Sequence, residues 1–260
     1  MLKQISSLQN PGIKDLIKLK KTRERRKQNL TIIEGRHEIS LALESGLKVK
    51  KLYRCEDFSS DNNFTVEIPD EITELTTREV FEKISIRENP DGYLALAETP
   101  TLELKKVKLK KNPLVVILEA VEKPGNIGAI IRSADATGVD VIIINDAKTD
   151  VYNPNIIRAS LGSIFGKQIV LASREETVSW LKANKIKSYA MAPAAKKEYI
   201  KCDFSEPCAF VIGTEHDGLS DEWLVRVDEK IKIKMAGKID SLNASVSAAL
   251  VLFEAVRQRS

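Results

Sequence analysis

The chain predicts an α/β protein in two parts: a smaller N-terminal α/β unit, then a C-terminal domain with a mostly parallel sheet covered by helices on both faces. Three observations predict it. Residues 114–118 and 141–144 are continuous apolar runs of strand length, as strands buried on both faces read. Between them Ile127, Ala129, Ile130, Ile131, Ala134 and Ala136 recur at helical spacing until Gly138, so the stretch is a βαβ unit. Thr99-Pro100 and a lysine-rich segment at 105–111 interrupt the pattern, which divides the chain into residues 1–98, a basic linker at 99–113, and residues 114–260.

Each element follows from local pattern. After the Asn10-Pro11-Gly12 turn, Ile13, Leu16, Ile17 and Leu19 mark a helix over 13–29. A strand at 30–33 exits through Glu34-Gly35 into a helix at 36–45, closed by Gly46 where a left-handed residue is favoured. Strands at 49–53, 65–68 and 92–97, a polar loop at 56–63 and a helix at 77–84 complete the first part. In the second, Lys123-Pro124-Gly125-Asn126 reads as a turn in which Gly125 is free to take positive φ, followed by a helix at 127–137. Strands at 140–145, 168–171, 187–191, 208–212 and 230–235 alternate with helices at 155–161, 175–184 and 243–258.

Composition excludes several classes. With 43% apolar residues in 260, the chain is globular, and no run approaches the roughly 20 apolar residues of a membrane span. The opening M-L-K-Q-I-S-S-L-Q-N lacks a signal-peptide core, and Cys55, Cys202 and Cys208 share no C-x-x-C spacing. A cytoplasmic protein without a metal site is expected. The P-loop, G-x-G-x-x-G, H-E-x-x-H and G-x-S-x-G patterns are also missing, which removes the usual support for NTPases, dinucleotide enzymes, zincins and α/β-hydrolases.

Charge is uneven although the net value is only +4. Lys18, Lys20, Lys21, Arg23, Arg25, Arg26 and Lys27 face one acid, Glu24, and Lys105, Lys106, Lys108, Lys110 and Lys111 form a second cluster. Such density neutralises phosphates, although a solvated helix face has the same composition.

Three stretches carry candidate chemistry. In the first, Asn126 opens a helix at a strand end, where α/β sheets bind ligands, and Arg132 is a permanent cation in a small-residue helix. In the second, an apolar strand runs into Gly213-Thr214-Glu215-His216-Asp217-Gly218; two glycines let a ligand approach backbone, and Glu215 is placed to accept hydrogen bonds or orient an Arg. Taken singly, the stretch reads more simply as a tight turn in which Glu215 and Asp217 face water or cap a helix beginning near Ser220. In the third, I-K-I-K-M-A-G-K-I-D-S-L-N-A-S-V-S, Ser241, Asn243 and Ser245 precede a helix that needs one or two of them as caps.

Together P-G-N-I-G-A-I-I-R-S-A-D-A-T-G, V-I-G-T-E-H-D-G-L-S and I-K-M-A-G-K-I-D-S-L-N-A-S-V-S-A-A resemble the three signatures of the SpoU/TrmH branch of SPOUT methyltransferases, in the family's order. The stretch L-T-I-I-E-G-R-H-E-I-S-L-A-L-E-S-G resembles the family's ribosomal-protein-like substrate-binding domain. The resemblance implies a C-terminal trefoil-knot domain, S-adenosyl-L-methionine as cofactor, and transfer of its methyl group to an RNA ribose 2′-hydroxyl. Ribosomal RNA, 23S above all, is the expected substrate; transfer RNA is the second choice, and a non-catalytic RNA-binding protein the competing class. It further implies a homodimer whose site draws on both subunits.

By motif position the resemblance assigns Asn126, Arg132, Glu215, Ser241 and Asn243 to the catalytic site and Gly213, Thr214, Ile233, Met235 and Leu242 to the cofactor cradle. RNA binding falls to the basic run and Arg36. Two positions depart from the pattern: Lys234 stands where Pro is usual and His216 where Gly is more common. In the family Arg132 would assist deprotonation. A guanidinium stays protonated, so we expect it instead to clamp phosphate and stabilise alkoxide charge, with Asn126 and Glu215 holding its orientation.

Overall fold

The computed structural model describes residues 3–58, 68–214 and 216–260. It divides into two compact units, residues 1–100 with 149–166, and residues 101–148 with 167–260.

The first unit begins with β1 (Lys3–Ile5), α1 (Pro11–Lys18) and α2 (Thr22–Gln28). The single helix expected over 13–29 is therefore two helices. The chain turns at residues 19–21, and the carbonyls freed there, Leu19 and Lys20, each accept a 2.9 Å hydrogen bond from Arg25 Nη1. The same guanidinium donates to Asp150 Oδ2 at 2.6 Å and Thr22 Oγ1 at 3.0 Å and is only 3% exposed. Arg25 is thus a structural cation rather than a surface one.

Next come β2 (Leu30–Glu34), α3 (Arg36–Glu44), β3 (Val49–Arg54), β4 (Thr73–Thr76), α4 (Arg78–Ile84) and β5 (Tyr93–Glu98). Gly46 closes α3 at φ +79°, the left-handed position expected of it. Among the described residues the sheet has the order β1-β4-β3-β5-β2. β1, β4 and β3 are parallel, and β5 is antiparallel to both its neighbours. Of the strand read at 65–68, residues 65–67 lie outside the described residues, as do residues 59–63 of the loop read at 56–63; Ile68 falls in no strand. Ile13, Leu16 and Leu19 pack against Ile32, Tyr53, Phe81 and Leu94.

In the second unit residues 101–111 do not run free. Leu102, Leu104, Val107 and Leu109 pack against the core while the intervening lysines stay exposed. The chain continues through β6 (Leu114–Glu119), α5 (Pro124–Ala136), β7 (Val141–Asn145), α6 (Pro154–Ala159), β8 (Gln168–Leu171), α7 (Arg174–Ala183), β9 (Lys187–Met191) and β10 (Lys197–Glu198). β11 (Cys208–Ile212), α8 (Asp221–Arg226), β12 (Glu229–Lys232) and α9 (Ala244–Arg259) complete it. The sheet order is β10-β12-β9-β11-β6-β7-β8, every pair parallel. Ile127, Ile130 and Ile131 of α5 are buried, each stabilising the fold by about 1.5–3 kcal/mol relative to exposure. The segment with α6 belongs to the first unit. There Thr31 Oγ1 donates to the Tyr152 carbonyl at 2.7 Å, and Gly162, at φ +77°, lies so close to α3 that an added Cβ would be 3.0 Å from Glu38 Cα.

No helix among the described residues is long and apolar enough to cross a membrane. Nor do the described residues include a group of three or more His, Cys, Asp or Glu able to hold a metal ion.

Candidate active site

Parallel strands bring all their C-terminal ends to one edge, the usual ligand edge of an α/β sheet. At the ends of β9, β11 and β12 lies a cavity of about 270 Å³, near the lower bound usual for small-molecule sites. Its wall combines Met191 at the end of β9 and Pro193 beyond it, Ile212, Gly213 and Thr214 at β11, Ile233 and Met235 beyond β12, and Ser241 and Leu242 before α9. The residues assigned to the cofactor cradle, Gly213, Thr214, Ile233, Met235 and Leu242, all line this one cavity, with Ser241 beside them. Its lining mixes apolar side chains, Met191, Ile212, Ile233, Met235 and Leu242, with polar ones, Thr214, Asp240 and Ser241, as a ligand with both apolar and polar parts requires.

The loop beyond β11 is closed on itself. Thr214 N donates to the Gly218 carbonyl at 3.0 Å, Gly218 N returns to the Thr214 carbonyl at 3.2 Å, and Thr214 Oγ1 accepts from Asp217 N at 3.0 Å. A side chain at Gly213 would overlap the Gly218 carbonyl and stand 2.6 Å from Leu219 N. His216 and Asp217 line the cavity mouth in exposed positions. Glu215 lies outside the described residues.

α5 and α9 supply the rest. Pro124 starts α5, so Asn126 stands in the first helical turn and not in the loop expected at 123–126. Gly125 is accordingly helical, and the left-handed residue is Ala120, at φ +52°. Asn126 Oδ1 accepts from Asn243 Nδ2 at 3.1 Å, and Asn243 caps α9 by accepting from Ser245 N at 2.9 Å. The first and third motifs are thereby joined. Asn126 Nδ2 is buried and has no partner among the described residues. Arg132 is exposed and makes no hydrogen bond or ion pair with any described residue. Asn126 therefore braces Asn243, not Arg132 as expected. Arg132, Asn126 and Asn243 are not on the cavity wall.

Sequence reading passed over Glu119. Its carboxylate, 4% exposed at the end of β6, accepts from Ser220 N at 2.8 Å and Ser220 Oγ at 2.7 Å, and pairs with Arg174 at 3.2 Å. The available signal was a lone acid directly after five strand residues that are all apolar.

The basic run is not uniform. Lys20 Nζ donates to the carbonyls of Lys83 and Ser85, Lys18 pairs with Asp15, and Arg25 is buried. Lys21, Arg23, Arg26 and Lys27 remain exposed. Arg36 opens α3, and its backbone amide donates to Asp91 Oδ2 at 2.7 Å.

Comparison with known proteins gives two matched segments. Residues 113–253 match the SpoU rRNA methylase family, and residues 10–95 an MRM3-like substrate-binding domain. The chain is 30% identical over 252 residues to a 23S rRNA (guanosine(2553)-2′-O)-methyltransferase of Bacillus subtilis, covering 97% of this chain and 98% of that one. It is 33% identical to a 23S rRNA (uridine(2479)-2′-O)-methyltransferase of Streptomyces viridochromogenes over 88% of this chain and 83% of the relative. Among solved structures, the AdoMet-bound rRNA methyltransferase of Sinorhizobium meliloti superposes with a TM-score of 0.87 at 28% identity, covering 98% of this chain and 97% of the other.

Proposed function

The chain belongs to the SpoU rRNA methylase family, and from that membership we propose that it transfers a methyl group from S-adenosylmethionine to a ribose 2′-hydroxyl of 23S ribosomal RNA in the cytoplasm. One observation carries the reading: 213–214, before α8, and 233–235 and 241–242, after it, form a single cavity at the strand ends. When bound there, S-adenosylmethionine supplies a methyl group on a sulfonium sulfur. Gly213 keeps the Gly218–Leu219 backbone close, Ile233, Met235 and Leu242 exclude water, and Thr214 and Ser241 offer hydroxyls. Arg132 clamps a substrate phosphate and stabilises the oxyanion that develops as the ribose hydroxyl gives its proton to water. Asn126 and Asn243 hold the first turns of α5 and α9 together. Glu215 completes the set as the family's motif implies. The strand order, with β11 between β9 and β6 and β12 between β10 and β9, supports the return threading of a trefoil knot. Wild-type protein should move the label from methyl-labelled S-adenosylmethionine into 23S RNA as a 2′-O-methyl nucleotide. A bound but unmethylated RNA would make the protein a non-catalytic binder.

Two further parts of the reading have their own tests. The exposed Lys21, Arg23, Arg26 and Lys27 contact RNA phosphates. Changing all four to Gln should weaken RNA binding and flatten its salt dependence by about 0.7 log units for each phosphate that is no longer neutralised. Deleting the run would confuse the result, because Leu19 and Arg25 within it are buried.

Homodimer formation uses α9. Val246, Leu250 and Phe253 follow one helix face and are all exposed, Phe253 by 53%, an apolar stripe that a second copy would cover. Phe253→Asp should shift the sedimentation coefficient from dimer to monomer and remove methyl transfer; a wild-type monomer with full activity would overturn this assignment.

A further inference from the structure

We propose that Glu119 is a positioning residue for the cofactor loop, acting through Ser220, an inference that rests on the reading of the cavity as the S-adenosylmethionine site. Both ends of the loop beyond β11 are tied to the end of β6. At its start, Ile212 pairs with Leu118 in the parallel ladder. At its finish, the next residue of β6, Glu119, grips Ser220 by main-chain amide and side-chain hydroxyl with separate carboxylate oxygens. Ser220 is also the N-cap of α8, its Oγ accepting from Trp223 N at 3.3 Å, and Trp223 is fully buried. The loop's far end is thus tied to the start of a helix anchored by the buried Trp223.

Burial makes the carboxylate strong in this role. A buried anion is tolerated only when paired, and Arg174 at the start of α7 supplies the pair while also reaching Asp146 and Glu222. Glu119 touches none of the cavity space itself. Its effect is to set where Gly213, Thr214 and Gly218 stand, and so the shape of the wall that they contribute. A loop tethered at one end only samples other arrangements, and the affinity falls by the fraction of time spent in them.

The test is calorimetric titration of S-adenosylmethionine into the full-length protein, with KM and kcat measured alongside. Glu119→Gln, close in size, should raise Kd and the cofactor KM about tenfold, the worth of one charge-assisted hydrogen bond, with kcat and RNA affinity unchanged. Ser220→Ala should give a smaller rise and Ser220→Thr should restore most of it, which keeps the test open if Glu119→Gln does not fold. The double variant Glu119→Gln/Ser220→Ala should lose no more than Glu119→Gln alone, since the two act through one link. A Kd within twofold of wild type in Glu119→Gln, additive losses, or a parallel fall in RNA affinity would overturn the proposal. Failure of the wild-type protein to bind S-adenosylmethionine would overturn the underlying reading instead.

Discussion

Arg132→Ala should slow methyl transfer into 23S RNA about 10²- to 10³-fold while S-adenosylmethionine affinity and thermal stability stay at wild-type levels. The size follows from the role. In the proposed role, a cation beside the developing oxyanion acts mainly in the transition state, so its removal should lower kcat more than it raises KM. The unchanged stability follows from the structure, since Arg132 is exposed and no described residue loses a partner with it. Arg132→Lys separates clamp from base. A clamp keeps charge in lysine but loses the bidentate fork, so activity should be intermediate and the pH profile should keep its shape. If Arg132 were the base, the rate would rise only in strongly alkaline solution, and lysine, whose ammonium gives up its proton more readily than a guanidinium, would move the rise to lower pH. A displaced profile in Arg132→Lys would sink the clamp.

How much of this was legible depended on whether the information was local. The unit β6-α5-β7 could be read because apolar strand runs and a helical repeat are short-range patterns. Whether Asn126 was loop or helix turned on Pro124, which suits a turn and the first helical position equally. β1 and β4 were missed because three residues, K-Q-I, and the half-polar T-E-L-T carry too little alternation to register. Arg25 sits among exposed cations in sequence, and its burial depends on Asp150, 125 positions later. Periodicity alone could not say that 213–214, 233–235 and 241–242 share one cavity; that expectation came from the resemblance, and the folded chain brings them together. Glu119 escaped both routes, because its partner Ser220 is 101 residues away.

Gly213→Ala is the stronger test of the cavity, because the substitution adds one methyl group and changes no charge. The added carbon would overlap the Gly218 carbonyl and stand 2.6 Å from Leu219 N. These are backbone atoms, so no side chain can rotate aside, and the reciprocal Thr214–Gly218 hydrogen bonds oppose local yielding. Either the bridge breaks or the end of β11 shifts; both move the wall on which the cofactor would lie. Overpacking of this kind costs about 1–3 kcal/mol, and if most of it falls on the bound geometry the affinity for S-adenosylmethionine drops about 10- to 100-fold. Gly237→Ala is the control: an added Cβ there meets nothing within 4 Å. Titration well below the melting temperature should therefore show weak cofactor binding in Gly213→Ala and wild-type binding in Gly237→Ala. Equal affinity in both variants would mean that the cofactor does not rest against this loop.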